Sequence, residues 1–287
     1  MEANPIGQEL AGRYRGRFAP TPSGPLHFGS LVAAVGSYLE AKRKGGEWLV
    51  RIEDLDTPRV VPGAADLILR TLEAFGFRWD GEVIWQSTRT EAYRNAFDRL
   101  KDQGHIFPCG CSRVLQEGSG CARNCRAGIA PGTPIRSWRV HVPKETVCWT
   151  DQLQGTQCDE LAGDFVLLRE DRIFAYQLAV VVDDAEQGIT DVVRGADLLD
   201  STFKQIRLLR WLGYPQPRYS HLPTARNEKG EKLSKQTHAA AVTTIGDAGE
   251  LRAVLRFLGQ PVPAKTASLQ EIWKWAMEEW RSELVPV

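Results

Sequence analysis

Residues 13–52 read RYRGRFAPTPSGPLHFGSLVAAVGSYLEAKRKGGEWLVRI, and the order of local signals in this stretch decides the fold. A strand over 13–19 runs into a loop of glycine and proline and delivers Arg17 to it. From Leu31 the apolar positions Leu31, Ala34, Val35 and Tyr38 recur at helical spacing, with Ser30 placed to serve as the N-cap. Lys42, Arg43 and Lys44 close the helix with the charge its C-terminal end favours, and Gly45-Gly46 stop it. Residues 48–52 are a second strand. Strand, loop, helix and strand in so short a span make a βαβ unit, and such a unit needs parallel strands. The expected class is therefore α/β, with a doubly wound, Rossmann-like parallel sheet.

The remaining elements follow from the same periodicities. Helices are predicted over 62–75, 91–103 and 198–212, and two more over 247–258 and 268–284. Trp138, Val140 and Val142 alternate as in a half-buried strand. Residues 173–182 form an apolar run, read as a strand ending at Asp183-Asp184. Residues 105–135 lose periodicity and gain cysteine, glycine and proline, and 224–237 form a polar loop. The expected organisation is a catalytic core over 13–105 and 174–245, an inserted subdomain over 106–173, and a helical stub over 246–287.

Composition narrows the function classes. The chain has 287 residues, 43% of them apolar, enough for a sizeable core. Lysine and arginine total 36 and so do aspartate and glutamate, so no global field draws in a polyanion. No apolar run reaches the length of a membrane span, and the first residues lack the basic start and apolar middle of a secretory signal. The expectation is a cytoplasmic monomer with no membrane partner. Its six cysteines then point to metal or thiol chemistry before disulfides.

Several motifs carry chemistry. A Gly/Pro-rich turn between strand and helix exposes backbone N–H groups at a helix N-terminus, where phosphates bind. Neither GxGxxG nor GxxxxGK[ST] occurs in the loop. Instead His27 stands just before the helix, able to donate to phosphate oxygens, or else by chance in a surface loop. Far along the chain, Lys232-Leu-Ser-Lys-Gln236 sets two lysines around Ser234. Alone, that is a solvated loop; lysine is also a mobile point charge suited to phosphate. Cys109-Gly-Cys111 and Cys121-Ala-Arg-Asn-Cys125 bring four thiols into an aperiodic segment with little apolar matter of its own. A structural tetrahedral zinc site fits them, with thiols or disulfides as the alternatives. Cys148 and Cys158 lie outside that pattern and default to buried thiols.

Taken together, His27-Phe-Gly-Ser30 resembles the HIGH element of class I aminoacyl-tRNA synthetases, and Lys232–Gln236 their KMSKS loop. Arg17–Gly24, Arg51-Ile-Glu-Asp54, Phe174–Asp184 and Val193-Arg-Gly-Ala-Asp197 resemble, in order, motifs of glutamyl-tRNA synthetases. Ser30 replaces the second histidine of HIGH, Gln236 the last serine of KMSKS, and the chain ends at Val287 without a large anticodon-binding part. Those departures resemble the truncated glutamyl-queuosine tRNA(Asp) synthetase family.

The resemblance implies activation of L-glutamate by ATP with Mg²⁺ and without RNA. Glutamate then passes to the cyclopentene-diol of queuosine in the tRNA(Asp) anticodon. His27 and Lys235 are implied as catalytic groups. Arg17, Ala19, Thr21, Glu53, Tyr176 and Arg194 are implied for glutamate, with the two arginines facing carboxylates and Glu53 the ammonium. His27, Gly29, Ser30, Lys232, Ser234 and Lys235 are implied for ATP. In the family's zinc pattern, CxC…YxxxC, Cys121 takes the tyrosine's place. Bland readings stand beside these: Glu53 as a strand-end carboxylate, Tyr176 as a core aromatic, Asp54 and Asp56 as turn or capping residues. Arg207, Arg210, Trp273 and Trp280 are candidate RNA contacts, beside the bland readings of a solvated helix face for the arginines and core for the tryptophans. Three other readings share the motifs, namely charging of a tRNA 3′ end, adenylation of another small acid, and a non-enzymatic paralogue that senses amino acids or binds RNA.

Overall fold

The computed structural model describes residues 13–111, 125–142, 145–160, 163–225 and 241–287. The strands are β1 (Arg15–Phe18), β2 (Glu47–Ile52), β3 (Ile84–Trp85), β4 (Ile106–Cys109), β5 (Ser137–Val140), β6 (Thr146–Asp151), β7 (Gly155–Glu160), β8 (Val166–Leu168), β9 (Asp191–Gly195) and β10 (Arg218–Leu222). The α-helices are α1 (Phe28–Arg43), α2 (Ala64–Ala74), α3 (Thr90–Asp102), α4 (Tyr176–Glu186), α5 (Leu199–Leu212), α6 (Ala248–Phe257) and α7 (Leu269–Glu279).

The βαβ unit forms as the N-terminal sequence dictates. β1 pairs in parallel with β2, Arg17 beside Leu49, and β2 pairs in parallel with β3. A second run has the order β7-β6-β10-β9, with β10 parallel to both β9 and β6 and only β7 antiparallel. The two runs meet where Thr190 N–H donates to the Arg15 carbonyl at 2.9 Å and Arg15 N–H to Thr190 Oγ1 at 2.8 Å. Strands β4, β5 and β8 form a separate antiparallel sheet.

Alternate strand residues feed two cores. Trp48 and Val50 of β2 and Val193 of β9 pack with α1, α2, α6 and α7, whereas Leu49 and Val192 pack with α3, α4 and α5. Helices therefore cover both faces of the parallel sheet, as a doubly wound fold requires. Gly36 permits a close approach: a Cβ there would meet Leu222 Cδ1 at 2.6 Å, so α1 lies directly against β10.

Four sequence expectations change. Residues 173–182 are not a strand; α4 occupies most of the run. Leu178–Val182 are all buried, as are Asp183 and Asp184, so a helix enclosed on every side shows no 3.6-residue stripe. The α1 N-cap is His27 rather than Ser30; its backbone is extended and its Nδ1 accepts from Ser30 N–H at 3.2 Å. Cys148 and Cys158 are neither buried nor thiols: they face each other across β6 and β7, exposed, and form a disulfide. Arg207 is buried rather than solvated, its guanidinium over the Trp211 ring and paired with Glu145. The tryptophans do serve the core. Trp280 donates to Glu40 and Trp273 to the Phe75 carbonyl.

Candidate active site

A cleft of about 710 Å³ opens beyond the C-terminal ends of β1, β2 and β9, the edge where open α/β sheets bind ligands. Its wall holds every candidate ligand-binding residue that lies among the described residues: Arg17, Ala19 and Thr21; His27, Gly29 and Ser30; and Glu53, Tyr176 and Arg194. The β1–α1 loop lies across the end of β2, with Glu53 N–H donating to the Pro20 carbonyl at 3.0 Å. Further along, Val242 N–H donates to the Leu26 carbonyl at 3.0 Å. Lys232, Ser234 and Lys235 lie outside the described residues.

One end of the cleft is a buried ionic lattice. Arg17, 3% exposed, grips Asp184 with Nε at 3.0 Å and Nη2 at 3.2 Å. Arg51, fully buried, donates to the same carboxylate at 2.7 Å and to Gln187 Oε1 at 2.5 Å, and lies 3.8 Å from Glu53. Asp183 accepts from Gln86, Arg89 and Tyr93 at 2.6–3.1 Å. Burial alone would raise the Asp184 carboxyl, but Arg17 and Arg51 outweigh it and hold the group below its ordinary value. Glu53 goes the other way. Burial dominates, the two arginines only partly offset it, and its carboxyl is pushed up to about 7. Two neighbouring carboxyls thus differ in character: Asp184 is a fixed anion, and Glu53 is poised to ionise when a cation arrives.

Arg194 stands across the cleft, also buried. Its Nε donates to His221 Nε2 at 3.1 Å, its Nη2 to Thr202 Oγ1 at 2.7 Å, and its Nη1 to Tyr176 Oη at 3.4 Å. Sequence reasoning missed His221, Thr202, Asp183 and Asp184 as parts of this site. Asp183 and Asp184 close the apolar run whose sequence reads as a strand, and the other two follow no spacing rule. Asp54 and Asp56 also separate here. Asp54 accepts from Ser87 N–H and Oγ at 2.8 and 2.6 Å, and Asp56 pairs with Arg169 at 2.6 Å.

The other end is built on a helix terminus. With His27 Nδ1 accepting the Ser30 N–H, the cap requires that nitrogen to be unprotonated, which leaves Nε2–H as the ring's donor. Ser30 Oγ lies 3.1 Å from Nε2, so the serine and the histidine are directly coupled.

Apart from the cleft, the buried thiols of Cys109, Cys111 and Cys125 converge with their sulfurs within 4.8 Å of one another. Cys111 Sγ and Cys125 Sγ are 3.8 Å apart. Tetrahedral zinc with its usual thiolate bonds sets sulfurs about 3.8 Å apart, so the donor set and spacing fit that ion. Cys121 lies outside the described residues.

Comparison with known proteins gives concordant results. Residues 13–117 and 121–272 match the family described as tRNA synthetases class I (E and Q), catalytic domain. The "Glutamyl-Q tRNA(Asp) synthetase" of Aromatoleum aromaticum is 55% identical over 97% of this chain and 92% of its own length. That of Dechloromonas aromatica is 56% identical over 95% of this chain and 96% of its own. Among solved structures, the glutamate-tRNA synthetase of Elizabethkingia anophelis superposes with a TM-score of 0.79 at 24% identity. The alignment covers 95% of this chain but 66% of that one, and the likeness is one of fold.

Proposed function

The chain belongs to the class I tRNA synthetases of the glutamate and glutamine type, within the family of the glutamyl-Q tRNA(Asp) synthetases, and from that premise we propose that it activates glutamate with ATP and esterifies queuosine in the tRNA(Asp) anticodon. The observation that carries the reading is the union, in one cleft, of buried guanidinium groups, a poised carboxyl and a histidine-capped helix N-terminus. Queuosine as acceptor comes from the named relatives.

Activation joins the glutamate α-carboxylate to the α-phosphorus of ATP and expels pyrophosphate. The nucleophile is already ionised at pH 7, so no general base is needed, and rate must come from positioning and charge stabilisation. Arg17 and Arg194 take the carboxylates of glutamate, each through a charge-assisted hydrogen bond from its guanidinium. Asp184 occupies the Nε–Nη2 edge of Arg17, which leaves Nη1 for the ligand. Ionised Glu53 takes the ammonium, and Tyr176, Ala19 and Thr21 bound the pocket. His27 donates through Nε2 to phosphate oxygens as charge builds there. Gly29 offers its backbone N–H group and Ser30 its hydroxyl, and the family resemblance assigns Lys232, Ser234 and Lys235 to ATP, with Lys235 toward the leaving pyrophosphate. Mg²⁺ accompanies ATP as part of the substrate. Cys109, Cys111 and Cys125, joined by Cys121 from the resemblance, would hold one zinc, which would serve the fold rather than the chemistry. They lie in the segment between 13–105 and 174–245, whose strands β6 and β7 join the sheet of β9 and β10.

The test has two arms. Purified protein should catalyse glutamate-dependent ATP–pyrophosphate exchange without RNA; exchange with a different acid, or none, rejects the activation step. Labelled glutamate should then transfer to queuosine-containing tRNA(Asp) trimmed of its CCA end, and not to tRNA lacking queuosine. Loss of labelling on trimming would reassign the acceptor to the 3′ end. Metal analysis should find one zinc per chain, and Cys125→Ser should lower both zinc content and melting temperature.

A further inference from the structure

The ionic lattice of the cleft does not account for one buried pair. His221 and Asp151 are each within 1% of fully buried. Asp151 ends β6, and His221 lies on β10, the two strands meeting through Tyr219 and Asp151. Asp151 Oδ1 accepts three backbone N–H groups, from Leu153 and Gln154 at 2.9 Å and from His221 at 3.1 Å. Its Oδ2 lies 2.6 Å from His221 Nδ1. An acceptor so saturated remains a carboxylate, and its carboxyl is held below the ordinary value because these hydrogen bonds outweigh the burial that would raise it. Nδ1 must then carry the proton and donate it to Asp151. On the far side of the ring, Nε2 faces Arg194 Nε, which can only donate. Nε2 is therefore an acceptor, and the ring is neutral in its Nδ1–H form.

From this geometry we infer that Asp151 and His221 are positioning residues that fix the guanidinium of Arg194 by locking the histidine tautomer. This rests on the reading of Arg194 as a carboxylate partner of glutamate. His221 occupies Nε of Arg194, and Thr202 Oγ1, itself bonded to the Leu198 carbonyl at 3.2 Å, occupies Nη2. Only Nη1, with the long contact to Tyr176, is left for a ligand. A guanidinium held at two nitrogens cannot turn, so its remaining nitrogen, Nη1, meets a carboxylate without further ordering.

Asp151→Asn tests this directly. The amide oxygen can keep the three backbone bonds while the amide nitrogen donates to His221 Nδ1. The ring is then forced into its Nε2–H form, and a donor faces a donor at Arg194. In ATP–pyrophosphate exchange, the KM for glutamate should rise about tenfold, as expected when a buried charged hydrogen bond is misaligned. The KM for ATP should stay within about twofold, whereas a merely structural defect would move both. Arg194→Ala separates the two readings. If it raises the glutamate KM and Asp151→Asn does not, the positioning role is overturned. If it leaves the glutamate KM unchanged, the reading of Arg194 falls, and the inference with it. Should Asp151→Asn fail to fold, ¹⁵N NMR of the unaltered protein decides: a neutral Nδ1–H His221 at pH 7.5 supports the inference, and an Nε2–H ring or an imidazolium overturns it.

Discussion

The two ends of the cleft are built on opposite principles. At the end proposed for the amino acid, Arg17, Arg51, Asp183, Asp184 and Glu53 are all buried, and both arginines are bonded to protein carboxylates. At the end proposed for the nucleotide, His27, Gly29 and Ser30 are half-buried at a helix N-terminus. Buried charges cannot be left unpaired, so the first end must hold its geometry at all times. A helix terminus presents its donors without burying a charge, so the second end can stay open to a ligand that enters and leaves with every turnover. In the proposed function, the rigid end suits selectivity for a small zwitterion and the exposed one the handling of a polyphosphate.

The largest effect expected from breaking this contrast is at Asp184. Asp184→Ala leaves two buried guanidinium groups without their shared partner. It should destabilise the fold by about 3–5 kcal/mol, read from urea unfolding. A change below about 1 kcal/mol would mean that the lattice does not depend on that carboxylate. His27→Ala should lower kcat for exchange by roughly 10- to 100-fold through one lost hydrogen bond to charged phosphate. The glutamate KM should hardly move, and a parallel rise in it would show that the two ends are not independent.

Glu53 gives the next effect, through pH. Its carboxyl is raised to about 7, so the stability it contributes is full below the ordinary carboxylate value and is lost as pH rises through about 7. Recognition runs the opposite way, because the ammonium needs the ionised form. The glutamate KM should fall about tenfold for each pH unit gained below 7 and level off above it. Glu53→Gln should abolish that slope, and a KM independent of pH between 6 and 8 in the unaltered protein would reject the assignment. Smallest of all, Ser30→Ala removes a neutral hydroxyl beside His27 but keeps the backbone N–H that caps the helix. The ATP KM should rise about threefold, the cost of one neutral hydrogen bond. A hundredfold loss would show that Ser30 does far more than support the ring.

Much of this arrangement is legible in the chain because it is local. The β1–α1 loop, the helix stop at Gly45-Gly46 and strand β2 each follow from residues within a few positions of one another. The loop alone places Arg17 and His27 at opposite ends of one connection. Reading failed where information is not local. The apolar run before Asp183 fits a buried strand or a buried helix equally, and only packing against α3 and α5 separates them. Ser30 and His27 compete for one cap, and the outcome depends on which acceptor reaches the N–H of Ser30. Cys148 and Cys158 pair because register sets them opposite across a hairpin, which composition does not reveal.

By itself the sequence determined the parallel α/β core, the order of its motifs and which residue types line the cleft, since periodicity and turn chemistry act over a few residues. Tertiary structure decided the partners. Arg17 meets Asp184 across 167 positions, Arg51 meets the same carboxylate across 133, and His221 meets Asp151 across 70. Only the folded sheet brings such groups within hydrogen-bond reach, and only burial makes their pairing obligatory.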